Sequence, residues 1–186
     1  MKLATFMTPA GTALPGLVRN GRIVSLQPAG FSSVLEIIAS APASLDRIRR
    51  FLDSCPDAGL PLASVTLLAP LSRPPKILCA GLNYRDHAAE AKMEIPAVPT
   101  IFSKLHNTII GPGATIFLPK NSKKPDYEAE FAFIIGCGGR HIRAENWRSH
   151  VFGYMCFNDV SARDFQLATS QWLMGKTFDG FAPTGP

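Results

Sequence analysis

The sequence has 186 residues, of which 46% are hydrophobic and 18% charged, with a formal net charge of +5. This length suits one domain, or one domain with a small appendage, and the apolar fraction excludes wholesale disorder. The basic residues are scattered rather than grouped with aromatic residues, which argues against nucleic-acid binding and favours the attraction of small anionic substrates.

The N-terminal segment has no sustained apolar region and no obvious cleavage site, so we expect no secretory signal. No stretch approaches the length of a membrane span, and we expect no membrane association. Cys55, Cys79, Cys137 and Cys156 have no C-x-x-C spacing, which argues against a zinc site or a disulfide framework. These features together predict a reducing, cytoplasmic location.

Residues 1–70 are expected to form a small α+β module for packing or oligomerisation, because they contain no cluster of catalytic groups. The turn signal Arg19-Asn20-Gly21 predicts a hairpin whose return strand is 21–26. Ser44 is expected to cap a short helix whose apolar residues share one face.

A proline-studded link at 70–75 leads into a part of the sequence where strands predominate. The apolar runs predict strands at 76–80, 100–104, 114–118, 128–136 and 152–157, with short helices around 86–92 and 144–151. Irregularly spaced strands with few helices predict an α+β, mainly β domain over 74–186 rather than a doubly wound sheet.

Two glutamates in this part are candidate metal ligands. Glu128 and Glu130 are two residues apart, so in a strand their side chains point to the same face. Two crowded carboxylates on a partly buried face repel each other, so either one holds a proton or a cation lies between them. The alternative is that both lie on the solvated face of an edge strand.

Asp159 is a candidate third oxygen ligand, since it lies just past Tyr154-Met155-Cys156-Phe157, which is predicted to be a buried strand. Carboxylates without nearby cysteine or histidine suit a hard cation, Mg²⁺ or Mn²⁺, with Ca²⁺ as an alternative. Three protein ligands leave coordination positions open for water and a chelating substrate, as catalytic metal sites require.

Three further side chains are candidates for acid–base or electrostatic chemistry. His87 and Glu90 are three residues apart and would share one face of a helical turn, where a hydrogen bond would make His87 a general base. Lys176, expected in a short strand beside the acidic site, would stay charged and could stabilise an enolate. The alternatives are that His87 and Glu90 form a pair on the protein surface and that Lys176 faces solvent.

Arg163 and Gln166 follow Asp159 by four and seven residues. On a helical turn their side chains would face the same way. Arg163 could instead pair with Asp159 or Asp164 and serve only as scaffold.

Four blocks of sequence, in this order, resemble the signature blocks of the fumarylacetoacetate hydrolase family in its bacterial type: 76–90, 126–130, 157–164 and 175–179. The resemblance implies a β-rich roll or barrel-like sandwich whose open end holds the metal on Glu128, Glu130 and Asp159. In the family, the stretch that matches 175–186 leads into further strands and a late substrate-binding segment. We therefore expect a member truncated at its C-terminus, with an incomplete fold.

The resemblance also implies a reaction and roles for the other candidates. His87 with Glu90 would lie on a mobile lid and activate water, Lys176 would counter negative charge, and Arg163 and Gln166 would bind substrate oxygens. The implied activity is hydrolysis of a carbon–carbon bond in a small 1,3-dicarbonyl or acylpyruvate-type oxo-acid by a homodimer. The alternatives are decarboxylation, isomerisation or hydration of an oxo-acid, and a non-catalytic metal-binding scaffold. The positive charge adds a third, weaker alternative, an anion- or nucleic-acid-binding module.

Overall fold

The computed structural model describes residues 1–56, 59–90 and 92–185. Its strands are β1 (Lys2–Met7), β2 (Ala13–Arg19), β3 (Arg22–Ser25), β4 (Leu60–Pro61), β5 (Thr66–Leu68), β6 (Ile77–Gly81), β7 (Thr100–Lys104), β8 (Ile109–Ile110), β9 (Pro125–Asp126), β10 (Ala129–Ile135), β11 (Val151–Asn158), β12 (Ser161–Ala162) and β13 (Ala182–Pro183). Its α-helices are α1 (Val34–Ala39), α2 (Ala43–Ser54), α3 (Arg85–Glu90), α4 (Arg163–Gln166) and α5 (Leu173–Lys176). The mainly β architecture agrees with the prediction.

The first five strands form one antiparallel sheet in the order β4-β3-β2-β1-β5. The hairpin predicted between β2 and β3 is present, and its turn residues Asn20 and Gly21 both have positive φ, 49° and 71°. Two positive φ angles are what a two-residue type I′ turn requires, and the asparagine–glycine pair adopts them at low cost. The two helices α1 and α2 cover this sheet and enclose its core.

The expected capping role of Ser44 is wrong. Helix α2 begins at Ala43, and its N-cap residue is Pro42. The buried Ser44 hydroxyl donates instead to the backbone carbonyl of Ile37 at 2.6 Å, and thereby joins the end of α1 to the start of α2.

The remaining strands form two-stranded ladders: β6–β7, β10–β11 and β12–β9, which are antiparallel, and β13–β8, which is parallel. The longest is β10–β11. Ile134 of β10 and Phe152 of β11 pack against Val34, Ile38 and Leu71, so the ladder rests on helix α1. This contact fixes the ladder relative to the N-terminal sheet.

Three predicted elements differ from the structure. Residues 114–118 form no strand, since they have no ladder partner among the described residues. The segment 144–150 is a 3₁₀ helix rather than an α-helix. Strand β11 is not fully buried but alternates between two faces, with Tyr154 55% exposed.

Within the described parts of the chain, no helix combines the length and the apolar character needed to cross a membrane.

Candidate metal centre

The register of the β10–β11 ladder brings the predicted acidic residues together. Glu130 pairs with Phe157 across the ladder, so the beginning of β10 lies beside the end of β11. Just beyond, the N–H of Asp159 donates to the carbonyl of Glu128 at 3.0 Å, and the side-chain carbonyl of Asn158 accepts from the N–H of Glu128 at 3.1 Å. One backbone bond and one bond to the Asn158 side chain therefore hold Glu128 beside Asn158 and Asp159.

Glu128, Glu130 and Asp159 each direct a carboxylate oxygen to this point, and the three oxygens lie within 4.8 Å of one another. Asp159 is fully buried and the two glutamates are half-buried. Carboxylates this close repel each other strongly, because little water is available to screen them. The group is stable only with protons or positive charge nearby.

Three basic side chains surround this acidic trio and neutralise two of its members. Lys176 Nζ lies 3.0 Å from Glu128 Oε2 and 2.9 Å from Asp159 Oδ2. Lys104 Nζ lies 2.6 Å from Asp159 Oδ1. Arg163 Nη1 lies 2.5 Å from Glu128 Oε1.

Glu130 is the exception. Among the residues described, no basic side chain pairs with it, and burial, together with the neighbouring Asp159 and Glu128 carboxylates, raises its pKa to about 7. At neutral pH this group is therefore only partly ionised. A half-buried carboxylate without a basic partner, beside two further carboxylate oxygens, is a donor set that fits a hard divalent cation.

Lys176 ends helix α5, so its expected position in a strand is wrong. A Cβ on Gly175 would lie 2.4 Å from the backbone nitrogen of Gln166, which means that only glycine allows α5 to pack so closely on α4. This close packing places the buried Lys176 ammonium beside the trio. The same ammonium lies 5.1 Å from the centre of the Phe102 ring.

Arg163 and Gln166 do share one helical turn, α4, as predicted. Arg163 Nη1 donates to Gln166 Oε1 at 3.0 Å, while its Nε and Nη2 both donate to Asp126 Oδ2, at 3.0 and 2.8 Å. The alternative pairing of Arg163 with Asp159 or Asp164 is therefore wrong. The arginine instead bridges Asp126 to the acidic trio.

His87 and Glu90 lie on helix α3, with His87 half-buried and Glu90 exposed. Among the described residues, no hydrogen bond or ion pair joins these two side chains to each other or to the trio. The start of the helix is nevertheless held beside the site, because the Tyr84 hydroxyl accepts a hydrogen bond from the N–H of Phe131 at 3.0 Å. The role of His87 and Glu90 on a lid stays a prediction.

Two residues of the site were missed by the sequence analysis. Lys104 ends the predicted strand 100–104, and a lone lysine closing an apolar run was the available signal. Burial lowers its pKa, and the adjoining Asp159 carboxylate opposes that shift. Asp126 lies inside one of the four blocks but had no assigned role, since its function depends on where Arg163 points.

Comparison with known proteins places these observations in a family. The family model described as fumarylacetoacetate (FAA) hydrolase C-terminal matches residues 76–186. Oxaloacetate tautomerase FAHD2A, mitochondrial, from Bos taurus is 40% identical over 195 aligned residues, which cover 100% of this chain and 62% of that protein.

Two solved structures are similar along the whole chain. Fumarylacetoacetate hydrolase from the psychrophile Exiguobacterium antarcticum is 36% identical with a TM-score of 0.80, covering 100% of this chain and 65% of that one. Maleylpyruvate hydrolase from Sphingobium sp. SYK-6, solved in complex with manganese (II) ion and pyruvate, is 26% identical with a TM-score of 0.76, covering 100% of this chain and 66% of that one.

The chain thus spans about 62% of the length of its bovine relative. That relative is named as a mitochondrial protein, so the cytoplasmic location expected from the cysteines stays a prediction. The family match over 76–186, together with the fold shared with both solved structures, shows that this chain belongs to the fumarylacetoacetate hydrolase family.

Proposed function

We propose that this chain carries the metal-binding part of an enzyme that acts on small 2-oxo-acid anions, and that its reaction is keto–enol tautomerisation of an oxaloacetate-like substrate. The observation that carries the proposal is the acidic trio, Glu128, Glu130 and Asp159, whose oxygens lie within 4.8 Å of one another. It is the only such group of potential ligands found among the described residues.

The charge around the trio suits a substrate of this kind. A 2-oxo acid presents a carboxylate oxygen beside a carbonyl oxygen, and the pair can chelate one cation. Lys176 and Arg163 border the trio and can balance the substrate's negative charge. We propose Mg²⁺ or Mn²⁺ as the ion, with Ca²⁺ as the alternative.

An ion held by Glu128, Glu130 and Asp159 would polarise the substrate carbonyl. His87 would remove a proton from the carbon next to that carbonyl, and the carbonyl oxygen would gain a proton to give the enol. Lys176 would stabilise the negative charge that develops on the oxygen between these two transfers, because its buried ammonium is already oriented.

Tautomerisation is favoured by the bovine relative, which is named for it. Hydrolysis is the second candidate, since the structure with manganese and pyruvate is a maleylpyruvate hydrolase. In hydrolysis, His87 with Glu90 would activate a water that attacks the carbonyl. The carbon–carbon bond would then break to give two acids, and the released carbanion would take up a proton.

We also propose the oligomeric state and the binding partners that the sequence predicts. The chain would act as a homodimer on a small anion, without nucleic acid or membrane. A metal-binding scaffold without turnover is the non-catalytic alternative.

The test is to follow the enol absorbance of oxaloacetate with the purified chain in Mg²⁺, in Mn²⁺ and after EDTA treatment. Acetylpyruvate cleavage is measured in parallel as pyruvate release. Glu130→Gln removes one proposed ligand, and Glu94→Gln is the matched control at an exposed glutamate.

The proposal is supported if the metal ion accelerates oxaloacetate tautomerisation in the wild-type chain and in Glu94→Gln but not in Glu130→Gln. Pyruvate release without tautomerisation favours the hydrolase. Bound Mn²⁺ without turnover of either compound favours the scaffold, and turnover that survives EDTA contradicts a metal enzyme.

A further inference from the structure

We infer that Lys104 is a positioning residue that orients the carboxylate of Asp159 for metal binding and thereby sets the affinity of the site for the ion. The inference rests on the proposed function, since it concerns the same trio. It assigns a function to a buried lysine that the proposed reaction does not use.

The contact between the two side chains is short and fully enclosed. Both side chains have 0% exposure, and Lys104 Nζ lies 2.6 Å from Asp159 Oδ1. The same ammonium donates to the backbone carbonyl of Val160 at 3.1 Å. One lysine thus binds both the side chain of Asp159 and the backbone carbonyl of the next residue.

The backbone around Asp159 is fixed by other groups. Its N–H donates to the carbonyl of Glu128 at 3.0 Å, and its carbonyl accepts from the Ser161 hydroxyl at 2.9 Å. The N–H of Val160 donates to the carbonyl of Phe181 at 3.1 Å. The freedom left to Asp159 is rotation of its carboxylate, which Lys104 restricts at Oδ1 and Lys176 at Oδ2.

The two lysines bind opposite oxygens of Asp159 and differ in what else they touch. Lys176 contacts Oδ2 and also Glu128, so it lies among the members of the trio. Lys104 contacts Oδ1, and in the described parts of the chain it forms no ion pair with Glu128 or Glu130. It therefore acts through Asp159, and it binds the oxygen opposite the one that faces Lys176.

A structural role alone is a poor explanation for this lysine. Asp159 already has Lys176 as a counter-ion, and taking a second ammonium out of water is costly. A well-packed apolar residue of similar volume often stabilises a protein equally well. What an apolar residue lacks is the directed hydrogen bond that orients a ligand, and such outer-shell bonds tune metal affinity.

In the experiment, the purified chain is titrated with Mn²⁺ alone, and the concentration of unbound Mn²⁺ is measured from its EPR signal. Lys104→Met keeps the length of the side chain but removes the donor, and Lys76→Met is the control at an exposed lysine. Wild type and control should bind equally, and Lys104→Met should bind roughly 10–100-fold more weakly, as for other outer-shell partners.

A double-mutant cycle separates orientation from a general effect of charge. If Lys104 acts through Asp159, adding Lys104→Met to Asp159→Asn should change the Mn²⁺ affinity by no more than about twofold, the usual limit of additivity. A full-sized effect in that background would overturn the inference, because the lysine would then act without Asp159.

Other outcomes also decide the question. Equal or tighter Mn²⁺ binding by Lys104→Met overturns the inference while leaving the proposed function intact. If Lys104→Met does not fold, Lys104→Arg is measured in its place, because arginine keeps the charge but has a wider head group. We expect it to bind at least about tenfold more weakly, and unchanged affinity overturns the inference. A wild-type chain that binds no Mn²⁺ overturns both the inference and the proposed function.

Discussion

The backbone N–H of Asp159 donates to the carbonyl of Glu128 at 3.0 Å, directly beyond the paired end of the β10–β11 ladder. The arrangement of the acidic trio is therefore a property of the strand register. A slip by one residue would turn Glu130 to the opposite face, because strand side chains alternate with a period of two. Backbone pairing holds the carboxylates together in spite of their mutual repulsion.

Metal affinity should depend on pH through Glu130. Its pKa is raised to about 7, and the ion requires the ionised form, so Mn²⁺ affinity should rise between about pH 6 and pH 8 and then level off. Titrations with Mn²⁺ at several pH values measure this. Affinity that is constant across this range would show that Glu130 is not a ligand.

The stability of the metal-free chain should change with pH in the opposite direction. The folded chain holds a proton on Glu130 up to about pH 7, whereas an unfolded glutamate loses it near its ordinary pKa of 4.5. The folded state then binds more protons between these values, so the free energy of unfolding should fall as pH rises from about 5 to about 7. Urea unfolding should show this slope in wild type and in Glu145→Gln, an exposed control, but not in Glu130→Gln.

Gly175→Ala should disturb the approach of α5 to α4. The new Cβ would lie 2.4 Å from the nitrogen of Gln166, so the helices must separate and Lys176 must move away from Glu128. We expect a loss of about 1–3 kcal/mol in unfolding free energy, as for other overpacked sites, and slower turnover of oxaloacetate.

The control for this change is Gly153→Ala in β11, where a Cβ would meet no atom within 4 Å. It should alter the free energy of unfolding by no more than about 0.5 kcal/mol. Equal effects of the two alanine variants would mean that the close packing of α5 on α4 is unimportant.

Arg163→Lys should weaken the bridge between Asp126 and Glu128 although it keeps the charge. A single ammonium cannot reproduce three guanidinium nitrogens that bond Asp126, Glu128 and Gln166. We expect a loss of about 1.5–3 kcal/mol in unfolding free energy and a higher KM for oxaloacetate. Arg140→Lys, at an exposed position, should change neither value. A normal KM in Arg163→Lys would rule out a part in substrate binding.

Tyr84→Phe should affect catalysis without affecting metal binding. The variant removes the hydroxyl that accepts from the N–H of Phe131 and so frees the start of α3, which carries His87. Backbone amide exchange at Phe131 should become faster and oxaloacetate turnover slower, with Mn²⁺ affinity unchanged. Tyr127→Phe is the control at a tyrosine that is 74% exposed. Unchanged turnover in Tyr84→Phe would show that α3 has no part in the reaction.

The parts of the fold that the sequence predicts correctly are those set by local chemistry. The Asn20-Gly21 turn requires positive φ at two successive positions, and few other residue pairs supply it. Glu130 lies in β10 and Glu128 directly precedes that strand, so the predicted strand begins one residue later than expected, although the two carboxylates do meet.

Elements that depend on distant partners could not be predicted in this way. The run 114–118 has strand-forming residues but no partner strand among the described residues. Lys176 lies in helix α5, whose close contact with α4 depends on Gly175 and on residues of another segment. The role of Lys104 depends on an aspartate 55 residues further along the chain, which no local pattern reveals.

The most direct measurement is the anomalous diffraction of a crystal grown with Mn²⁺. One strong peak should lie within about 2.6 Å of carboxylate oxygens from Glu128, Glu130 and Asp159 together. A map without that peak, in which the three carboxylates share no bound ion, would contradict a metal centre in this chain.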